Sequence, residues 1–555
     1  MNRSRSTVYS LNSGMVATSQ PLAVNAGLNI LRMGGNAADA AVAVAACLNV
    51  LEPASSGIGG DCFCLYFDGK DKSIIGLNGS GRYPSASDPL EYLNKLGFDK
   101  TIPMNDANSI TVPGAAAGYV DTVEKFGSGK LTLLGILTPA IKLAENGFPV
   151  SKVSASLWKN SEKELQNSSN GLEVLKDGNA PNEGDIMKFP LLGRCFSLLA
   201  EKGKAGFYEG EVATAIVETI AKNGGRMTLN DLKNHSSTII HPIKISYLDK
   251  SLNECPPNGQ GITALIALGI IEQLQETGVI RNLSEMEHNG VEYLHVLIES
   301  LRLAFADSFH FVTDPTKMSS KVIEKLLSKE YHLKRSKLFS PLKASTDVHF
   351  GAPLYCCDTV YLTVVDKEGN ACSFINSVFE SFGSKIVAKG TGICLQNRGS
   401  NFSLNPHSFN VVEPNKRPYH TIIPAIVTDN ISKELFASFG VMGGYQQPQG
   451  HLQVLLNLLH FNMTAQESVD ALRFNINSID SALVFPKQSS VSLEEGFKLD
   501  VVEGLRKLGH NTSVLSGFER KAFGRGQVIV STLQENGIVL AGGSDFRGDG
   551  YAGCT

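Results

Sequence analysis

A chain of 555 residues that is 42% hydrophobic and 19% charged is an ordinary globular protein, long enough for two or more lobes or for one interleaved assembly. Its formal net charge of -4 offers no electrostatic footprint for nucleic acid or a membrane surface, so such partners are not expected. No apolar core of about 7 to 15 residues marks the N-terminus, and no later run reaches about 18 apolar residues, which predicts a cytoplasmic protein without a secretion signal or membrane anchor.

Along the chain, residues 20–50 carry two alanine-rich helical patterns split by Gly34-Gly35-Asn36. A glycine-rich loop follows over 52–61, then a strand over 62–67. Glycines 57, 59 and 60 precede that strand instead of following one, so the loop is not a dinucleotide fingerprint. From 112 to 310 the patterns are mostly helical, with stops at Asn146-Gly147, Gly224-Gly225 and the run from Pro256 to Gly261. Leu294, Leu297, Leu301 and Phe305 predict an amphipathic helix over 290–309, with His295 and His310 as packing or surface residues. The Lys- and Ser-rich stretch 319–358 has weak periodicity and is expected to be exposed and mobile. The ten cysteines are scattered. Neither Cys62-x-Cys64 nor Cys356-Cys357 has zinc spacing with histidines nearby, and most are expected as small buried hydrophobes in a reducing compartment.

At Thr359 the texture changes. Thr359 through Asp366 alternates as a strand, closed by a turn at Glu368-Gly369-Asn370. Further strands are predicted over 371–375, 422–428, 435–439 and 526–532, with helices over 449–459 and 499–508. This order predicts an α+β fold in which two sheets are covered by helices on their outer faces. A hydroxyl at the start of a strand suggests a chain that cuts itself at Asp358-Thr359: the freed α-amino group then serves as general base for the Thr359 hydroxyl. Ser377 follows across a hairpin-like connection and is placed to hydrogen-bond that hydroxyl. Gly443 and Gly444 follow a strand and precede a helix, a turn whose N–H groups suit an oxyanion hole. His420 and Thr421 lead into another strand and are placed to line a pocket. Taken singly, each is equally an ordinary feature: a plain Gly-Gly turn, a bystander serine, a solvated Lys416-Arg417 pair.

In order, the segments Met15-Val-Ala-Thr-Ser-Gln-Pro21, Gly34-Gly-Asn-Ala-Ala-Asp-Ala40, Gly57-Ile-Gly-Gly-Asp61, Val112-Pro-Gly114, Ala144-Glu-Asn-Gly-Phe-Pro-Val150, Asp358-Thr359, Lys416-Arg-Pro418, Gly443-Gly444 and Gly542-Gly-Ser-Asp545 resemble the γ-glutamyltransferase (glutathione hydrolase) family of N-terminal nucleophile hydrolases. The resemblance implies a four-layer αββα sandwich with additional helices from the large-subunit region. It implies a proenzyme cut before Thr359 into a large subunit, 1–358, and a small subunit, 359–555, which stay together as one interleaved unit. Thr359 would attack a γ-glutamyl amide such as glutathione, Ser377 would support it, and Gly443 and Gly444 would hold the oxyanion. A small-molecule substrate and no metal or organic cofactor are implied.

The departures concern specificity. The family's arginine clamp for the glutamyl α-carboxylate falls at Ser80, with Arg82 two residues later as a replacement. The acidic residue for the α-amino group falls at Asn401, the nearby glutamine at Arg398, and the paired serines at His420-Thr421. The run 402–416 is short, so the lid over the pocket is read as truncated. These features point toward the transferase-like and acylase-like branch. The alternatives are an acylase or amidohydrolase for another anionic or bulky acyl amide and an unprocessed, inactive binding homologue.

Overall fold

The computed structural model describes residues 5–345, 359–477 and 490–555. Two seven-stranded sheets face each other. One orders Val8–Leu11, Gly537–Ser544, Arg525–Gln534, Leu435–Met442, Ala425–Asp429, Lys250–Glu254 and Ile243–Tyr247; the other orders Tyr551–Cys554, Met15–Thr18, Val360–Val365, Ala371–Ser377, Asp61–Asp68, Ser73–Gly79 and Thr238–Ile240. Every pairing within them is antiparallel. Phe63, Tyr361, Ile375, Ile426 and Ile529 belong to the core between the inner faces. Helices Pro21–Arg32, Ala37–Leu51 and Ala115–Phe126 cover the second sheet, and Gly261–Glu276, Val291–Phe311 and Gln446–His460 cover the first. The layers are therefore αββα, as expected.

Both sheets combine strands from before and after residue 359. Met15–Thr18 lies between Val360–Val365 and Tyr551–Cys554, and Val8–Leu11 pairs with Gly537–Ser544. Backbone hydrogen bonds thus tie the two stretches together across Thr359, and a break before it would leave these ladders paired.

The local signals explain the elements that carry the site. Helix Ala37–Leu51 starts at a capping box in which Asn36 accepts from Ala38 and Asp39 N–H, while Asp39 accepts from Asn36 N–H at 3.1 Å. Its small side chains let all fifteen residues be buried, so the helix lies tight against the sheet that holds Thr359. Val360–Val365 is wholly buried and pairs with Ala371–Ser377 through the Asp366–Asn370 turn, where Asp366 N–H donates to Asn370 O at 2.9 Å.

Two expectations change. Residues 238–254, read within a mostly helical region, hold strands Thr238–Ile240, Ile243–Tyr247 and Lys250–Glu254. The period-two run Ile243, Ile245, Tyr247 carries that signal, but each strand is no longer than five residues and sits between long helices. In the stretch read as exposed and mobile, helices Ser320–Leu326 and Lys329–Ser336 form, capped by the Ser319 and Ser328 side chains and anchored by buried Leu326, His332 and Ser336. Residues 346–358, including Asp358, lie outside the described residues.

Candidate active site

The register Val360 opposite Asn376 puts Thr359 beside Ser377 at the end of the central hairpin. Both side chains are inaccessible to solvent, and Thr359 Oγ1 lies 3.2 Å from Ser377 Oγ. Ser377 Oγ also accepts from Phe379 N–H at 2.8 Å and from Arg398 Nη2 at 3.3 Å. The other end of the same guanidinium, Nη1, donates to Thr421 Oγ1 at 2.6 Å. Arg398 is fully buried, and its guanidinium carbon stands 4.3 Å from the centre of the Phe379 ring. Phe379 has a left-handed backbone, φ 79°, which a non-glycine residue adopts only when its surroundings hold it there.

The Gly443-Gly444 turn reaches this group from the facing sheet. Thr363 Oγ1 donates to Ser438 Oγ at 2.6 Å, and the Tyr361 ring occupies the space where a Gly440 side chain would stand. Along the same two strands Thr359 lies two residues before Tyr361, and Met442 lies two residues after Gly440, immediately before Gly443. Arg525, the ladder partner of Met442, reaches across to Thr359: its Nη2 lies 3.5 Å from Thr359 O while Nη1 pairs with Glu52 at 3.0 Å. Gly443 and Gly444 have φ of 130° and 57°, conformations that glycine adopts without strain. Gln446 N–H donates to Gly443 O at 3.0 Å, so the Gly443 carbonyl faces the opening helix and, across a trans peptide, the Gly444 N–H faces away from it. Gln260 locks the turn by donating from Nε2 to Gly444 O at 2.8 Å and to Thr421 O at 2.6 Å. A chain of polar contacts therefore runs from Thr359 through Ser377, Arg398, Thr421 and Gln260 to Gly444.

His420 and Asn401 support this chain. His420 Nδ1 accepts from Ile422 N–H at 3.3 Å, so its proton sits on Nε2, which donates to Asp61 Oδ2 at 3.0 Å. Burial and the charge of Arg398 push His420 down to about 3, leaving it neutral at neutral pH. Burial raises the Asp61 carboxyl, but His420, the Arg398 charge and Gln396 outweigh it and hold Asp61 below the usual carboxylate range. Asn401 donates to Tyr419 O at 3.1 Å and accepts from the Tyr445 hydroxyl at 3.4 Å, which places it next to the glycine turn.

Arg82 stands elsewhere: half-buried, it donates from Nη1 to Ser236 O at 3.4 Å. The guanidinium that meets Ser80 belongs to Arg417, whose Nε donates to Ser80 O at 2.9 Å. Burial, then the nearby Arg82 charge, push Arg417 down to about 10. Among the described residues one group has three potential metal ligands within 4.8 Å, His295, Glu299 and His510. Protein partners already engage it: His295 Nδ1 lies 2.7 Å from His510 Nε2, His295 Nε2 lies 2.8 Å from Ser340 O, and Glu299 is bonded to Arg302 and to Ser345 N–H. Among the described residues no helix is long and apolar enough to cross a membrane.

Sequence reasoning did not single out Asp61, Gln260, Phe379, Arg417 or Arg525 as site residues. Asp61 closes the glycine-rich loop and Gln260 lies in the Pro-Gly run read as a helix stop, so their surroundings were visible but their direction was not. The glycine-rich loop has a packing purpose: a side chain on Gly60 would stand 2.2 Å from Ser377 O, so only glycine lets the loop lie against the end of the Thr359–Ser377 hairpin.

Residues 23–555 match the model of the family described as gamma-glutamyltranspeptidase. The chain is 35% identical over 543 residues to the glutathione hydrolase-like YwrD proenzyme of Bacillus subtilis, covering 97% of this chain and 98% of the relative. It is 31% identical over 548 residues to the oxamate amidohydrolase proenzyme of Klebsiella pneumoniae, covering 97% of this chain and 98% of the relative. The crystal structure of cephalosporin acylase from Bacillus halodurans superposes with a TM-score of 0.88 at 37% identity, covering 100% of this chain and 97% of that one. The chain belongs to the gamma-glutamyltranspeptidase family.

Proposed function

We propose that this family member is a proenzyme that cuts itself between Asp358 and Thr359 and then opens γ-glutamyl amides such as glutathione. The observation that carries the reading is the buried hydroxyl pair at the end of the central hairpin: Thr359 Oγ1 stands 3.2 Å from Ser377 Oγ, itself bonded to the Arg398 guanidinium. In the cut chain the Thr359 α-amino group takes the hydroxyl proton as Oγ bonds to the acyl carbon. Negative charge then develops on the carbonyl oxygen, and the N–H groups of Gly443 and Gly444 receive it. Collapse expels the amine, which leaves with the proton, and water or an acceptor amine releases the acyl group from Thr359. Apart from the substrate and the water or acceptor amine, every step in this scheme uses groups of the polypeptide.

Within the same chemistry, a second reading is favoured by Arg398 and Thr421. A buried guanidinium next to the nucleophile raises the positive potential where an acidic acyl group would sit, and Arg82 stands away from the nucleophile group. The substrate is then a smaller anionic amide or another acyl amide, in keeping with the amidohydrolase and acylase names of two relatives. Asn401 and His420 line the same region on this reading, Asn401 beside the glycine turn and His420 behind Thr421.

Incubating the purified chain, identifying its fragments by mass and N-terminal sequence, and assaying glutathione, a γ-glutamyl anilide, short amido acids and acylated β-lactams tests both readings. Fragments 1–358 and 359–555 and turnover of γ-glutamyl substrates support the first. Cleavage with turnover confined to other amides selects the second. A chain that stays whole is the inactive binding homologue.

A further inference from the structure

We propose that the cavity beside helix Lys152–Asn167 is a second binding site, for a short zwitterionic peptide whose carboxylate lies on the Lys385 ammonium and whose amino group lies on Asp106. The cavity holds about 510 Å3, within the range of small-molecule sites. Its exposed rim includes Asn105, Lys163, Glu164 and Asn167, and the buried Ser384 and Lys385 form its base. It shares no lining residue with the group around Thr359, Ser377 and Arg398, so the inference is independent of which amide Thr359 opens.

Lys385 carries the argument. Only 6% of it is exposed, yet among the described residues its ammonium meets two acceptors, both distant: Gly383 O at 3.4 Å and Glu164 Oε2 at 3.5 Å. An ammonium has three donors, and burying one that is short of acceptors is costly. Glu164 does not repair this, because its side chain is 53% exposed and such pairs contribute little. The chain also holds Lys385 in a left-handed backbone, φ 64°, where glycine would sit without strain. The turn around it is fixed: Lys385 N–H donates to Phe382 O at 3.0 Å and Ser384 N–H to Leu395 O at 2.8 Å. A rigid, buried cationic donor with spare capacity at the base of a cavity suits a carboxylate.

The lining carries both signs, which selects against a simple ion. Lys163 and Lys385 repel a cation, while Asp106 and Glu164 repel a bare anion. Asp106 is the partner for an amino group: its Oδ1 accepts from Asn108 N–H and from Asn108 Nδ2, each at 2.8 Å, and its Oδ2 has no hydrogen bond among the described residues. Amides and hydroxyls make up most of the remaining lining, so the part of the ligand between its two charges is polar, as a peptide backbone is.

Titration calorimetry on the full wild-type chain, cut or whole, tests this with alanylalanine, its N-acetyl form and its C-terminal amide. Alanylalanine is expected to bind, and the amide to bind about 10- to 100-fold more weakly, the effect of losing a hydrogen bond between charged groups. Lys385→Met is expected to weaken alanylalanine by the same factor. Asp106→Asn keeps the Oδ1 acceptor, so it is expected to weaken alanylalanine while leaving the N-acetyl peptide unchanged. Melting temperatures report folding; should Lys385→Met not fold, Lys385→Gln removes the charge with a polar side chain and carries the same expectation. No binding to wild type, equal binding of the peptide and its amide, or binding that the uncharged Lys385 variant leaves unchanged overturns the inference. An Asp106→Asn variant that binds alanylalanine as wild type does overturns it as well.

Discussion

Two buried arginine groups in this molecule use the same cation for opposite ends. At the C-terminal edge, Arg473 pairs with Asp545 at 2.7 Å, and Arg547 pairs with Asp545 at 2.9 Å and donates from Nε to Glu494 at 2.8 Å. Burial acts against the charge on Arg547, but Asp545 and Glu494 outweigh it and raise its pKa. Beside Thr359, Arg398 instead donates to the hydroxyls of Ser377 and Thr421, and its charge is felt by Asp61 and His420. A guanidinium whose hydrogen bonds end on carboxylates is neutralised where it stands and serves as a structural tie. The two bonds that Arg398 gives to hydroxyls polarise those hydroxyls. The family-like Gly542-Gly-Ser-Asp545 segment is thereby explained as architecture: Asp545 accepts from Gly526 N–H at 2.8 Å and holds the strand that carries Arg525 to Thr359.

The contrast is sharpest when each group loses what it serves. Thr359→Ala should abolish both self-cleavage and amide hydrolysis while leaving the melting temperature close to wild type; hydrolysis that survives would assign the nucleophile elsewhere. Asp545→Ala leaves two buried guanidinium groups short of a carboxylate and should cost about 3–5 kcal/mol of stability, read from denaturant midpoints. A small loss there would put Asp545 in the same class as the hydroxyl-bonded group. Gly60→Ala links the two kinds of effect, because its side chain would press on Ser377 O at 2.2 Å. Displacing the hairpin end by a fraction of an ångström should lower kcat by about 10- to 100-fold with a moderate drop in melting temperature.

The pH response divides in the same way. His420 titrates near 3 in the fold against about 6.5 unfolded, so between those values the unfolded chain binds the proton that the folded chain refuses. Its contribution is fully present above about pH 6.5 and is lost as pH falls toward 3. Asp61 and Asp545, both held below the usual carboxylate range, add stability above the unfolded carboxylate pKa that is lost at still lower pH. The melting temperature should fall as pH drops from about 6.5 to 4, and His420→Gln should flatten that slope. At the small end, Arg194→Ala cuts an exposed pair with Glu211 at 2.7 Å and should leave stability and activity unchanged within error.

Much of the layered fold was legible because its signals are local. Alternation marked the strands that hold Thr359 and Ser377, and alanine and leucine periodicity marked the helices over both sheets. The short strands in 238–254 and the helices in 320–336 escaped because short elements carry little periodic signal; serine caps and a few buried anchors decide them. The directions of the long cationic side chains were the least legible. Arg82 lies two residues from Ser80, yet its guanidinium turns to Ser236 O, while Arg417, 337 positions from Ser80, supplies the contact.

The sequence by itself placed Thr359 at the start of a strand, Ser377 across a hairpin from it, the glycine turn between a strand and a helix, and helices over two sheets, since each follows from residue type and short-range spacing. Only the tertiary structure decided which cation reaches which oxygen. Arg398 meets Ser377 and Thr421, Arg417 meets Ser80 O and Arg525 reaches Thr359 O because strands distant along the chain are brought level across two facing sheets. Long side chains take their direction from that packing, and no spacing along a chain encodes it.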